Sequence, residues 1–512
     1  MTCLMSGSNG SPVGLFYNEK HVFANNRDIM MEWGVLNMNI ARAVAIIAAF
    51  ISSLFRTKDI STLLAEKEKG HQLKKALGAF DLTMLGIGGI IGTGIFVLTG
   101  VAAAKHAGPA LPLSFIFAGF ACAFAALCYA EFSSAVPVSG SVYTYSYATL
   151  GEIIAWIIGW DLILEYLLAA STVAVGWSGY FQKLLNGFGL HLPPVVASVD
   201  TPEGVFNLPA FLIVLLITWL LSRGVKESAR LNNIMVLIKV AVVLLFIVVG
   251  VWYVKPANWT PFMPFGWGGV FSGAAFVFFA YIGFDAVATA AEEVRNPKRD
   301  LPIGIIASLA ICTVLYIIVS ALMTGIVPYP KLDDPAPISL VLQVAGQDWV
   351  AGFVSLGAIL GITTVLMVML YGQTRIFFAM SRDGLLPRMF SGVHPRFQTP
   401  YRSTWLIGVI ASALGGFFPL NKLAELVNIG TLAAFTLISI GVIVLRYSRP
   451  DLPRSFKVPF VPAIPLLAAG FCIFLMSQLP ADTWTLFGVW LLIGLAVYFT
   501  YSRRHSTLRA HN

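Results

Sequence analysis

Long, nearly uninterrupted apolar stretches recur along most of the chain, separated by short polar connections. They fall near residues 82 to 103, 110 to 135, 153 to 185, 207 to 222, 231 to 253, 269 to 291, 302 to 327, 348 to 380, 403 to 418, 423 to 445, 461 to 479 and 483 to 501. A helix needs about 20 apolar residues to cross a hydrocarbon core of roughly 30 Å, so the pattern predicts twelve transmembrane helices. The third and eighth are long enough to tilt or to project past the membrane. Because the runs are continuous rather than alternating, an outer-membrane β-barrel is excluded.

Composition agrees with an all-α integral membrane protein. Of 512 residues, 57% are AVILMFWYC and only 11% are charged, with a mean hydropathy of +0.80, which excludes ordinary soluble and disordered classes. Cys122, Cys128, Cys312 and Cys472 lie inside apolar runs and Cys3 stands alone near the start, so no disulfide framework is expected.

The net charge of +8 takes its meaning from topology. With both termini in the cytoplasm, 27 of the 33 Lys and Arg residues fall in inward segments; Lys105, Lys183, Lys255, Lys331 and Lys422 face outward, and Lys239 alone lies within a span. This asymmetry follows the positive-inside rule and predicts a multi-pass protein of the cell membrane with no nucleic-acid partner. The apolar stretch Ala43 to Ile51 loosely resembles part of a signal peptide. That role would place Arg56, Lys58, Lys67, Lys69, Lys74 and Lys75 outside. A surface-lying amphipathic helix, or a natural start at Met38, is preferred for this leader.

Two spans are written as poor helices. The first contains Leu85-Gly86-Ile87-Gly88-Gly89-Ile90-Ile91-Gly92-Thr93-Gly94-Ile95-Phe96, and the sixth contains Phe278-Phe279-Ala280-Tyr281-Ile282-Gly283-Phe284-Asp285. Gly88 and Gly92 form a GxxxG pair, which taken alone fits close helix packing equally well. A nucleotide-binding reading fails for want of a preceding strand. Matching interruptions in spans one and six point instead to an inverted-repeat transporter with its site near the midplane. Freed N–H groups there hold a carboxylate and freed carbonyls accept from an ammonium, which suits a zwitterion such as an amino acid.

Charged residues inside the spans are the other candidates. Lys239 lies nine residues after Arg230, roughly 13 Å along its helix, where an ammonium is costly; it is read as a proton-coupling residue, with a lysine satisfied by a carbonyl or acid as the structural alternative. Asp161 and Glu165 share one face of the third helix, Glu165 being the deeper. Its alternative is a paired acid that only orients helices. Asp285 is read as a structural N-cap where helix six restarts, and Glu292 and Glu293, among Arg295, Lys298 and Arg299, as a solvated gate or salt-bridge cluster. No metal-ligand spacing, cofactor motif or nucleophile motif is present, so an enzyme is not expected.

Several segments together carry a resemblance. Gly88 to Phe96, Tyr129-Ala130-Glu131-Phe132, Gly140-Ser141-Val142-Tyr143, Gly159-Trp160-Asp161-Leu162-Ile163-Leu164-Glu165-Tyr166 and Ser381-Arg382-Asp383-Gly384-Leu385-Leu386-Pro387 resemble permeases of the amino acid, polyamine and organocation superfamily. The branch resembled is that of bacterial relatives of the cationic amino acid transporters. The resemblance runs from about Leu54 to Ser506 and implies two inverted five-helix repeats (helices 1–5 and 6–10) plus two C-terminal helices, with helices 1 and 6 unwound. The implied organisation is a leader over 1–54, a cytoplasmic segment over 55–80, repeats over 81–255 and 256–447, the last two helices over 448–502 and a tail over 503–512.

By the same resemblance, Gly92, Thr93 and Gly94 belong to the substrate site, with N–H groups of Thr93 and Gly94 offered to the carboxylate. The carbonyls of Ile90, Phe279, Ala280 and Ile282 receive the ammonium, Glu165 lines the pocket, Met369 contacts the side chain, and Lys239 stands where sodium-coupled relatives hold sodium. The expected function is import of neutral, alanine-like or branched-chain amino acids by proton-coupled alternating access. A cationic amino acid carrier, an exchanger or a sodium symporter is the alternative, ahead of an amino acid-sensing receptor and a channel.

Overall fold

The structure, a computed structural model, describes residues 52, 54–58, 77–135, 141–224, 229–289, 294–397, 399–452 and 454–510. The chain divides into Met1–Arg56 and Thr57–Asn512; the second unit is described below. The expected leader helix, Glu292 and Glu293 lie outside the described residues.

The described residues are all-helical, apart from one bridge pairing Leu77 with Val294. In chain order the main helices begin with α1 (Ala79–Ile90), α2 (Leu111–Ala135), α3 (Ser141–Thr149) and α4 (Glu152–Gly187). They continue with α5 (Leu208–Ser222), α6 (Ala229–Gly250), α7 (Gly266–Val277), α8 (Ala286–Thr289) and α9 (Pro297–Ile326). The last are α10 (Pro337–Val344), α11 (Asp348–Arg382), α12 (Tyr401–Phe417), α13 (Leu420–Ser448), α14 (Ala463–Ser477) and α15 (Ala481–Val497). Their surfaces invert the soluble pattern: Leu237, Val248 and Leu492 are more than half exposed, while Glu131, Glu165, Lys239 and Asn428 are buried. Such an apolar rim around a polar interior belongs to a multi-pass membrane protein.

Among the described residues seven helical stretches are long and apolar enough to cross a membrane, fewer than the twelve expected of the whole chain, and Gly94–Ala135 is one continuous stretch. The difference has a local cause. The glycine-rich spans are broken into pieces, and α5, α12 and α14 have 15 to 17 residues, about 23 to 26 Å of helix.

Local chemistry explains the element boundaries. Asn207 caps α5, its Oδ1 accepting from Ala210 N at 3.1 Å and from Ser178 Oγ at 2.7 Å. Pro297 and Pro337 open α9 and α10, where a missing N–H costs nothing. In the interior, α4 packs along α11 and α13, while α9 packs along α1 and α2.

Three polar clusters tie segments distant in sequence. Asp383, just after α11, accepts from Lys58 Nζ at 3.1 Å and Tyr143 Oη at 2.8 Å. Glu152, at the start of α4, accepts from Tyr147, Tyr498 and Ser506 at 3.2, 3.0 and 2.5 Å. On α2, Glu131 accepts from Arg446 Nε and a terminal guanidinium nitrogen at 2.6 and 2.7 Å and from Val458 N at 2.7 Å. This bidentate pair is geometrically strong, and removing one partner leaves the other largely buried. Glu131→Ala is therefore expected to destabilise the fold by about 3 kcal/mol. Thermal unfolding in detergent would check this, an unchanged midpoint contradicting it.

Candidate functional site

The two glycine-rich segments do break, and they break against each other. α1 ends where Ile91 turns extended (φ −73°, ψ 101°), and the chain resumes from Thr93 in a wide π-type turn over Gly94–Leu98. After α7 the chain makes a tight turn over Phe278–Tyr281; Ile282 is extended, and Gly283 takes a positive φ of 116° before α8 begins. A Cβ on Gly89 would stand 2.8 Å from the Gly283 carbonyl oxygen, and one on Gly283 2.6 Å from that of Gly89. Only two glycines allow this backbone-to-backbone approach. Likewise, a Cβ on Gly94 would lie 2.3 Å from Ala280 Cα.

Between the breaks lies a cavity of about 10 Å³ lined by Ile90, Gly92, Thr93, Gly94, Phe279, Ile282 and Met369, room for about one water molecule. These seven were singled out from the sequence. Gly89, from the same broken span, lines it too, and Ala169, Val173 and Val365 complete the lining; those three carry no sequence signal, because apolar residues on α4 and α11 look like ordinary packing. Of the lining side chains only Thr93 carries a hydroxyl, and its Oγ1 donates to Val173 O at 3.4 Å.

The remaining singled-out residues sit around this cavity. Ala280 touches Gly94 but is not in the lining. Glu165 is one helical turn from Ala169, buried, outside the lining and within electrostatic reach of Asp161 and Asp285. Asp285 immediately precedes α8, and its carboxylate accepts from Tyr166 Oη at 3.2 Å. Lys239 is fully buried on α6 and its Nζ donates to Gly88 O at 2.7 Å, linking α6 to the end of α1.

Other buried side chains serve the released carbonyls and carried no sequence signal. Tyr316 Oη on α9 lies 2.9 Å from both Ile90 O and Ala280 O, one from each break. Asn428 Nδ2 on α13 donates to Ala275 O and Phe276 O at 2.8 and 3.0 Å, and Tyr180 Oη donates to Phe96 O at 2.8 Å. A tyrosine or asparagine in an apolar helix is routine in sequence; the clue would have been its register opposite a glycine break.

Comparison with known proteins shows the family. The sequence model of the family described as "Amino acid permease" matches residues 77–499. The chain is 62% identical over 463 residues to the branched-chain amino acid permease BcaP of Bacillus subtilis (strain 168), covering 89% of this chain and 99% of that one. It is 59% identical over 460 residues to the methylthioribose transporter of the same organism, covering 90% and 100%. To the vacuolar cationic amino acid transporter 4 of Arabidopsis thaliana it is 42% identical over 410 residues, covering 78% and 68%.

The position of Tyr316 generates a test. Tyr316→Phe removes the donor shared by two buried carbonyls, which is expected to cost about 1–3 kcal/mol. The check is thermal unfolding of the purified protein, where a midpoint equal to that of the wild type would contradict the bridge.

Proposed function

Because the chain belongs to the amino acid permease family, we propose that it imports neutral amino acids, alanine-like or branched, by proton-coupled alternating access. It is a transporter rather than an enzyme. The observation that carries the finer reading is the cavity between the two apposed breaks, where peptide groups surround a space whose side chains are apolar except for Thr93.

In this reading the N–H groups of Thr93 and Gly94 face the substrate carboxylate, and the carbonyls of Ile90, Phe279, Ala280 and Ile282 take its ammonium. Gly92 gives the backbone room to approach, and Val365 and Met369 meet the side chain, the thioether adapting to different shapes. Glu165 supports the site from one turn away. The similarity to a branched-chain permease supports an apolar substrate.

The similarity to a methylthioribose transporter supports a second reading, a sugar thioether. Its several hydroxyls would need partners that the lining side chains supply only at Thr93, so the amino acid is preferred. Cationic substrates are disfavoured because Glu165 lies outside the lining.

Twelve crossings, arranged as two inverted five-helix repeats plus two helices, with both termini cytoplasmic in the cell membrane, complete the proposal. The broken segments rock against α4 and α11. Lys239 is the coupling residue: transfer of its proton strengthens or weakens the bond it donates to Gly88 O and so biases which face is open.

Reconstitution into liposomes tests substrate and coupling separately. Uptake of labelled valine, competed by each of the twenty amino acids and by methylthioribose, should be blocked by alanine and branched-chain amino acids and little affected by arginine or lysine. Saturable uptake of labelled methylthioribose with no saturable uptake of valine would favour the second reading. Lys239→Ala should abolish accumulation driven by an imposed pH gradient while retaining counterflow. Undiminished accumulation would overturn the coupling role, and dependence on a sodium gradient would favour the sodium symporter.

A further inference from the structure

A groove of about 600 Å³ opens on the outside of the bundle, between the first half of α9 and the connection that follows α13. It is separate from the substrate cavity. One edge is formed by Lys298 and Arg299, both exposed. Neither makes an ion pair or side-chain hydrogen bond with any described residue. From there the floor runs along Ile303 and Ile306, which are 40% and 38% exposed, to Ala310. The opposite wall is Ser455 and Phe456.

Three features define what this shape accepts. Among the described residues the charge of the lining is confined to one end, where no acid lines the groove beside the two cations. From Arg299 to Ala310 is eleven residues of helix, roughly 17 Å, about half the thickness of a hydrocarbon core and so the depth of a single leaflet. The far wall is fixed in advance. Phe456 N donates to Ser134 Oγ at 3.4 Å and Val458 N to Glu131 at 2.7 Å, while a terminal guanidinium nitrogen of Arg454 donates to Leu445 O and Arg449 O at 3.0 and 2.7 Å. Arg454 is thereby committed to the loop, and the exposed cations at the groove edge are Lys298 and Arg299.

We propose that this groove binds an anionic phospholipid, its phosphate held by Lys298 and Arg299 and one acyl chain lying over Ile303, Ile306 and Ala310. A soluble anion would use only the charged edge and a neutral lipid only the apolar floor. The anionic phospholipid uses both, in the order in which a leaflet presents them. Because the wall is pinned beforehand, binding orders the lipid and not the protein.

Native mass spectrometry of the full-length protein in neutral detergent tests this, using dioleoylphosphatidylglycerol and dioleoylphosphatidylcholine as probes. The wild type should bind one phosphatidylglycerol in clear preference to phosphatidylcholine. Lys298→Gln with Arg299→Gln should weaken phosphatidylglycerol about thirtyfold, roughly fivefold for each basic residue lost at an anionic headgroup. Ala310→Trp fills the floor and should weaken it with both cations intact. The exposed pair Arg388→Gln with Arg402→Gln removes the same charge elsewhere and should leave binding unchanged. Equal binding of the two lipids, an unaffected Lys298/Arg299 double variant, or an equal loss in the Arg388/Arg402 pair would each overturn the site. Should Ala310→Trp fail to fold, the two charge pairs decide the matter by themselves.

Discussion

A carbonyl released from a helix inside hydrocarbon has no water to turn to and must find a donor within the protein. This constraint organises the interior. Where α1 stops and α7 gives way, at least six carbonyls are met by side chains from neighbouring helices: Gly88 by Lys239, Ile90 and Ala280 by Tyr316, Ala275 and Phe276 by Asn428, and Phe96 by Tyr180. The breaks are thus held by α4, α6, α9 and α13 together, and the glycines that create them also let the two backbones touch. Packing, polarity and the position of the cavity follow from one set of unsatisfied groups and their partners.

Much of this was legible in the sequence. Apolar runs announced most helices to within a few residues, because in a membrane burial and helix length are set by the same hydrocarbon thickness. The glycine clusters announced both breaks, since so many poor helix formers in two spans are costly without a use. Lys239 stood out because charge is scarce there.

Pairwise geometry was not legible. Nothing in a single chain says that Lys239 reaches Gly88, or that Tyr316 sits between two carbonyls 190 residues apart. Glu165 shows the same limit from the other side. Its depth was readable from spacing, but whether it lines the cavity or lies a turn away depends on the rotation of α4, which packing against α11 and α13 determines. Ala169 and Val173, on the same helix, line the cavity and had looked like filler.

The Tyr316 hydroxyl has a further consequence. It carries one hydrogen and faces two oxygens at the same 2.9 Å, so that hydrogen is shared between the two carbonyls or turns toward one of them. Switching between them takes only a rotation about the C–O bond, without displacement of any heavy atom. The join between the two broken segments is therefore a degenerate one: a single hydrogen is held in common by one carbonyl from each break, with no difference in distance to favour either segment.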